Sequence, residues 1–328
     1  MAWGLLGCLA VGLLLAQADT PAAAADGAAI QRVARLAKVR SWTYQLQRLD
    51  DARLTAEPSD LVVIDYSFDG SEPRELWPVQ VERFKTNPDG SRRIVLAYLS
   101  IGEAEDYRFY WPAEWDVQRP DWFSPETCGW PGNHVVQYWR RDWKELIYDG
   151  PASYLVRIER AGFDGVYLDR IDAYQQLQQH FQKARAEMVA FVRELAAAAR
   201  SRDPGFLVVA QNAEEMLTDR AYRAVIDGVA KEDLLFGVGG EGRRNRAGDI
   251  RASVELLRRL KADGKPVLTV EYLKQSGLIE QAAREHLRLG FVPAFAARQL
   301  DGAAVPAQPQ QPVASAEAGC KPVTRRTG

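Results

Sequence analysis

Histidine and cysteine are scarce in this chain of 328 residues, with three of each. His134, His180 and His286 stand at none of the expected strand ends, which argues against a histidine-held zinc site or a Ser-His-Asp triad. The cysteines, Cys8, Cys128 and Cys320, lack the close spacing of metal ligands. No Gly-x-Ser-x-Gly elbow is present, and no glycine-rich phosphate loop follows the first expected strand. No metal and no cofactor are therefore expected. Net charge is only -2, so no basic field points to nucleic acid or anionic lipid as a partner. Beyond its first residues the chain has no apolar run long enough to cross a bilayer.

The early apolar run, Leu5 to Ala16, has the length of a signal-peptide core. Small residues follow, with cleavage expected after Ala18 or within Ala22–Ala25. Residues 1–25 thus read as a targeting segment, and the expected location is secreted or periplasmic. Leu5-Leu6-Gly7-Cys8 has the form of a lipoprotein box, but no apolar run precedes it. Export would let Cys128 and Cys320 pair; the reading preferred here is two free thiols, because Cys320 lies in a Pro-, Gln- and Ala-rich stretch. That stretch, residues 302–328, is expected to be disordered, since it has too little apolar bulk to offset its ordering entropy.

Residues 26–301 are rich in short β-prone runs that alternate with amphipathic helices. The expected strands are Ser41–Gln47, Asp60–Tyr66, Arg93–Ile101, Phe163–Asp169, Phe206–Asn212, Val225–Glu232, Pro266–Tyr272 and Phe291–Ala296. Several are near-continuous apolar runs, as befits strands covered on both faces. Helices are expected at Phe181–Arg200, Asp249–Lys261 and Leu278–Leu289. Gly162, Gly205, Gly264 and Gly290 each precede a strand, where a left-handed glycine can end a helix. The pattern predicts an α/β protein, a single (β/α)8 TIM barrel. One stretch breaks the rhythm. Glu103–Tyr148, after the third strand, holds six of the nine tryptophans among Pro, Gly and acids. It is expected to form a long loop, either part of a binding cleft or an excursion packed by its own indoles.

In such barrels chemistry sits where the strands end. Those positions hold Asp65 and Tyr66, Ser100 and Glu103, Asp169 and Asp172, Asn212, Glu232, and Glu271 and Tyr272. Asp169 follows the buried run Val166-Tyr167-Leu168, and Glu232 ends the next acid-tipped strand. Two carboxyl groups on one mouth suit glycosidic cleavage, in which one must be ionised and the other protonated. A separation of about 5–5.5 Å gives retention and about 6.5–9.5 Å inversion. Each acid also has a plainer reading: Asp169 and Asp172 as helix caps, Glu232 as an ion pair with Lys231, Glu103 as a solvated loop residue. Asp65, Tyr98, Glu103, Tyr167, Asp172, Asn212, Glu271 and Tyr272 are the candidates to bind substrate.

Trp42-Thr-Tyr-Gln-Leu-Gln, Val63-Ile-Asp-Tyr66, Leu96-Ala-Tyr-Leu-Ser-Ile-Gly-Glu-Ala-Glu105, Gly162-Phe-Asp-Gly-Val-Tyr-Leu-Asp169, Ala210-Gln-Asn212 and Ala230-Lys-Glu232 together resemble the glycoside hydrolase family 114 barrel, the endo-α-1,4-polygalactosaminidase group. The resemblance runs from about Ser41 to Asp301. It implies a retaining endo-hydrolase of α-1,4-galactosamine-rich polysaccharide, with its catalytic carboxylates at Asp169 and Glu232. By analogy with α-galactosidase-like barrels, Asp169 would attack and Glu232 would act as acid and base. The expected partner is an amino-sugar polymer; the sequence does not fix the oligomeric state, for which a monomer is the default. The rival reading is a carbohydrate-binding barrel without turnover, serving polysaccharide assembly or export.

Overall fold

The computed structural model describes residues 21–127 and 130–302. The start of the leader, Cys8, Cys128, Cys320 and residues 303–328 lie outside the described residues. Eight parallel strands form one sheet in sequence order: β1 (Trp42–Tyr44), β2 (Leu61–Ile64), β3 (Ile94–Ser100), β4 (Gly165–Asp169), β5 (Leu207–Gln211), β6 (Gly228–Glu232), β7 (Val267–Glu271) and β8 (Val292–Phe295). The two ends of the sheet meet, where the Trp42 indole donates to the Val292 carbonyl at 3.0 Å. Helix α1 (Pro21–Leu36) precedes β1. Then α2 (Asp51–Ala56), α3 (Pro78–Phe84), α4 (Tyr154–Ala161), α5 (Ala184–Arg202), α6 (Arg220–Val225), α7 (Ala247–Ala262) and α8 (Ser276–Leu289) occupy the connections between successive strands. The molecule is a (β/α)8 barrel. No helix among the described residues is long and apolar enough to cross a membrane.

The pleat sorts the strand residues into two cores. Trp42, Tyr44, Leu61, Val63, Leu96, Tyr98, Tyr167, Val209, Ala230, Val270 and Tyr272 fill the barrel interior. Their neighbours Val62, Ile64, Val95, Leu99, Val166, Leu168, Val208 and Val229 face the helices. Leu36 and Val39, at and just beyond the end of α1, join the interior cluster. Arg32 of the same helix reaches Asp203 and Asp164 near the starts of β5 and β4, so α1 covers the floor of the barrel.

Local signals explain most boundaries. Asp50 caps α2 and Asp219 caps α6, each accepting backbone N–H groups of the first turn. Gly162 and Gly290 end α4 and α8 in the left-handed conformation, and Gly264 does the same just beyond α7. Gly205 is different. Its φ is not positive; it is small because Ala29 of α1 packs where a β-carbon would sit. Strand β1 is shorter than expected because the N–H groups of Leu46 and Gln47 turn to the Leu300 carbonyl. Val225 closes α6 rather than opening β6.

The tryptophan-rich stretch folds as an insert after β3. Strands Glu103–Glu105, Phe123–Glu126 and Asn133–Val136 make a small antiparallel sheet. Trp111 stacks on Phe123 and His134 at centroid distances of 5.5 and 5.4 Å. Trp122 and Trp143 are buried, and the Trp143 indole donates to the Ile101 carbonyl at 2.9 Å. Most of these indoles are the insert's own core.

Arg93, just before β3, is buried without a carboxylate. Its guanidinium donates instead to the carbonyls of Leu54, Glu57 and Phe84, which lie at the C-terminal ends of α2 and α3. A cation there meets the negative end of both helix dipoles. Removing it would leave buried carbonyls unpaired and open a cavity. We expect Arg93→Ala to cost about 3 kcal/mol or more in urea unfolding, with the midpoint lowered.

Candidate active site

The pleat that fills the barrel also points Asp169 inward, two residues beyond Tyr167 on β4. Glu232 points inward two residues beyond Ala230 on β6. Each carboxylate is gripped by one fixed and one tyrosine donor. On Asp169, the Arg170 N–H donates to Oδ1 at 2.7 Å and the Tyr98 hydroxyl to Oδ2 at 2.8 Å. On Glu232, Asn212 Nδ2 donates to Oε2 at 3.0 Å and the Tyr272 hydroxyl donates to Oε1. Asn212 Oδ1 in turn accepts the Glu232 N–H at 3.1 Å, which fixes the amide so that its Nδ2 must face the carboxylate. Tyr44, inward on β1, donates to Gln211 Oε1 at 3.2 Å beneath them.

Burial pushes Asp169 from its ordinary value of 3.8 up to about 7, and the Glu232 charge adds to the rise. The Tyr98 hydrogen bond and the Arg170 charge oppose it; Asp172 adds to it. A carboxylate so placed keeps its proton to higher pH than an exposed one.

The turns that follow these strands are strained. Arg170, Asn212, Ala213 and Asp233 have φ of 59, 56, 51 and 49°, all left-handed without being glycine. Each such residue costs on the order of 1 kcal/mol or more, and such strain gathers at functional sites. Gly102 faces the first of these turns. A β-carbon there would collide with the Arg170 carbonyl oxygen, so the Ser-Ile-Gly-Glu run of β3 requires its glycine.

Tyr98, Asn212 and Tyr272 thus meet the carboxylate pair directly; Asn212 and Tyr272 end their expected strands, whereas Tyr98 lies inside β3. The other candidates stand apart from it. Asp65 is buried and bound to Arg108 at 2.7 Å, and the same guanidinium holds Glu105 at 2.7 Å. Glu103 is buried too: it takes Arg170, Thr127 and Asn133, so it is no solvated loop residue. Asp172 makes no side-chain cap on the turn beginning at Ala173; it sits 3.5 Å from Arg170. Tyr167 packs against Tyr44 with centroids 5.1 Å apart, and its hydroxyl finds no hydrogen-bond partner among the described residues. Glu271 must be corrected. It lies one residue before Tyr272, so the pleat turns it to the helical layer. There it accepts the N–H groups of Leu235 and Phe236 and meets His286 of α8 at 3.0 Å.

Sequence reasoning missed Arg298. Its guanidinium lies 4.4 Å from the Tyr272 ring centre and bonds both Asp233 oxygens at 3.0 and 2.9 Å. It thereby braces the residue after Glu232 and the tyrosine that donates to Glu232. Arg298 follows β8 in a loop without periodicity, and no local pattern marks it.

A family model for glycoside-hydrolase family GH114 matches residues 20–310. The chain belongs to glycoside-hydrolase family GH114. As a member of this family it is a glycoside hydrolase. It is 38% identical over 269 residues to an uncharacterized protein of Deinococcus radiodurans, covering 81% of this chain and 83% of that protein. An uncharacterized protein of Thermotoga maritima is 35% identical over 275 residues, covering 76% and 82%. Among solved structures, the glycoside hydrolase domain of PelA from Pseudomonas aeruginosa superposes with a TM-score of 0.62 at 22% identity. That match covers 82% of this chain and all of the domain, 100%, and shows the shared fold.

The raised proton affinity of Asp169 makes stability depend on pH. Between its ordinary value of 3.8 and about 7, native Asp169 holds a proton that the unfolded chain releases. Stability contributed by this group therefore falls as pH rises through that window, and above it the buried anion carries its full cost. Asp169→Asn removes that cost. We expect its melting temperature at pH 8 to exceed that of the unmodified protein by roughly a few degrees, a gain that fades toward pH 4.

Proposed function

We propose that this GH114 protein is an exported, retaining endo-hydrolase of α-1,4-linked, galactosamine-rich polysaccharide, with Asp169 as nucleophile and Glu232 as acid and base. The carrying observation is the inward carboxylate pair at the ends of β4 and β6, with one tyrosine donor on each acid. Retention needs a single proton on the pair, one acid ionised to attack and the other protonated to release the leaving oxygen. In the free protein the raised affinity keeps a proton on Asp169 up to about pH 7, so attack requires Asp169 to give that proton up as the sugar binds. The choice of Asp169 for attack follows the family resemblance. The Arg170 N–H and its positive charge also lie on that side of the pair.

In the first step Asp169 Oδ attacks the anomeric carbon while Glu232 gives its proton to the departing glycosidic oxygen. Negative charge leaves Asp169 as the glycosyl ester forms and appears on Glu232. There the Asn212 amide and the Tyr272 hydroxyl are already in place to receive it. In the second step Glu232 takes a proton from water, whose oxygen attacks the anomeric carbon and frees Asp169.

The charge around the mouth supports an amino sugar. Asp65 and Glu105 share Arg108, and Glu103 and Asp172 share Arg170. Asp233 has Arg298, and Glu232 and Asp169 have no cation bonded to their side chains. Carboxylates outnumber guanidiniums, so the field attracts an ammonium-bearing chain. Export is supported by the apolar leader Leu5–Ala16.

The test is release of new reducing ends from an α-1,4-galactosamine polymer. Asp169→Asn and Glu232→Gln should each lower kcat by about a thousandfold or more while the barrel still melts cooperatively. Unimpaired turnover in either variant would refute its role. Polymer binding by the unmodified protein with no new reducing ends would mark a carbohydrate-binding barrel instead.

A further inference from the structure

Tyr107 is a partly exposed aromatic side chain held in place by its neighbours. Its hydroxyl donates to Glu105 Oε1 at 2.7 Å. The Arg108 guanidinium lies 4.8 Å from its ring centre. Gly70, whose φ is +85°, passes so close that a β-carbon would press on the ring at 2.7 Å. Beneath this ring Arg108 also binds Glu105 and Asp65, so the support is a buried ion triad rather than a mobile loop. The hydroxyl end is enclosed, and burial pushes the phenol well up. The residue as a whole is nevertheless 45% exposed.

A further aromatic stands beside it. Trp130 is 55% exposed on the turn that joins the last two strands of the insert. That turn is stitched to the Tyr107 segment by the Asp106 N–H, which donates to the Gly132 carbonyl at 3.0 Å. Asp106, an exposed acid, directly precedes Tyr107 and is the residue whose N–H reaches the Trp130 turn. The same segment adjoins the carboxylate pair: the Glu105 charge acts on Tyr98, whose hydroxyl bonds Asp169.

We propose that Tyr107, with Asp106 and Trp130, forms a subsite that binds a pyranose unit distant from the bond being cleaved, on a polymer carrying free amino groups. The flat C–H face of a sugar ring packs on an aromatic face, and a ring already fixed loses little entropy on binding. The exposed acid next to Tyr107 matches an ammonium on the sugar. Such a platform would hold a long chain across the mouth, as an endo-acting enzyme requires. This rests on the glycosidase reading above and extends it to polymer length.

The experiment compares kcat/KM on an α-1,4-galactosamine polymer with kcat/KM on a short oligosaccharide of the same sugar. Tyr107→Ala should lower the polymer-to-oligosaccharide ratio about tenfold, with Tyr107→Phe, which keeps the ring, restoring most of it. Trp130→Ala should lower it in the same direction. Affinity for the polymer, measured on the Asp169→Asn protein, should fall in parallel, and more for the free-amine polymer than for its N-acetylated form when Asp106→Asn is added. An unchanged ratio and affinity in Tyr107→Ala would overturn the subsite. An equal loss on both substrates would also overturn it, since the residue would then act only through Tyr98. If the unmodified protein hydrolyses neither substrate yet binds the polymer through Tyr107, the glycosidase reading fails and the platform stands.

Discussion

Two acids pointing inward at the end of a parallel barrel, one of them with its proton affinity raised by burial and by the other's charge, set the terms for everything around them. An anion at Asp169 is costly where it sits, and another at Glu232 makes it costlier. The structure answers with donors rather than with cations. Tyr98, Tyr272, Asn212 and one backbone N–H supply dipoles aimed at the carboxylate oxygens. Dipoles of this kind favour charge without cancelling it.

Arginines do their work one layer out. Arg108, Arg170 and Arg298 each tie down acids of the rim and, through them, the turns that follow β2, β4 and β6. The turns after β4, β5 and β6 are left-handed at residues that carry side chains. After β4 and β6 the two coincide: Arg170, itself left-handed, reaches the buried Glu103, and Arg298 holds the left-handed Asp233 from the surface.

The barrel was legible in the sequence because its signals are local and repeated. Apolar runs, capping aspartates and left-handed glycines each act within a few residues, and eight repetitions leave little room for another topology. The carboxylate pair was legible for a related reason: an acid ending a buried run is conspicuous. What the sequence hid depended on parity or on distance. Glu271 and Tyr272 are adjacent, and only the pleat decides that the tyrosine faces the mouth while the glutamate anchors Leu235 and Phe236. Arg298 reaches Asp233 across sixty-odd positions, and Arg108 reaches Asp65 from the insert. The tryptophans misled by number, since burying Trp122 and Trp143 is what makes the insert fold at all.

The close approach at Gly102 has a consequence for how this scaffold can change. The insert hangs from that glycine, whose carbonyl accepts the Val136 N–H, while its missing side chain makes room for the carbonyl of Arg170. The root of the insert and the turn that arms Asp169 therefore occupy one interlocked volume. Transplanting the insert into another barrel, or replacing it here, demands that the turn after β4 travel with it. Exchanged alone, either piece would arrive with a shape its neighbour has no space to accept.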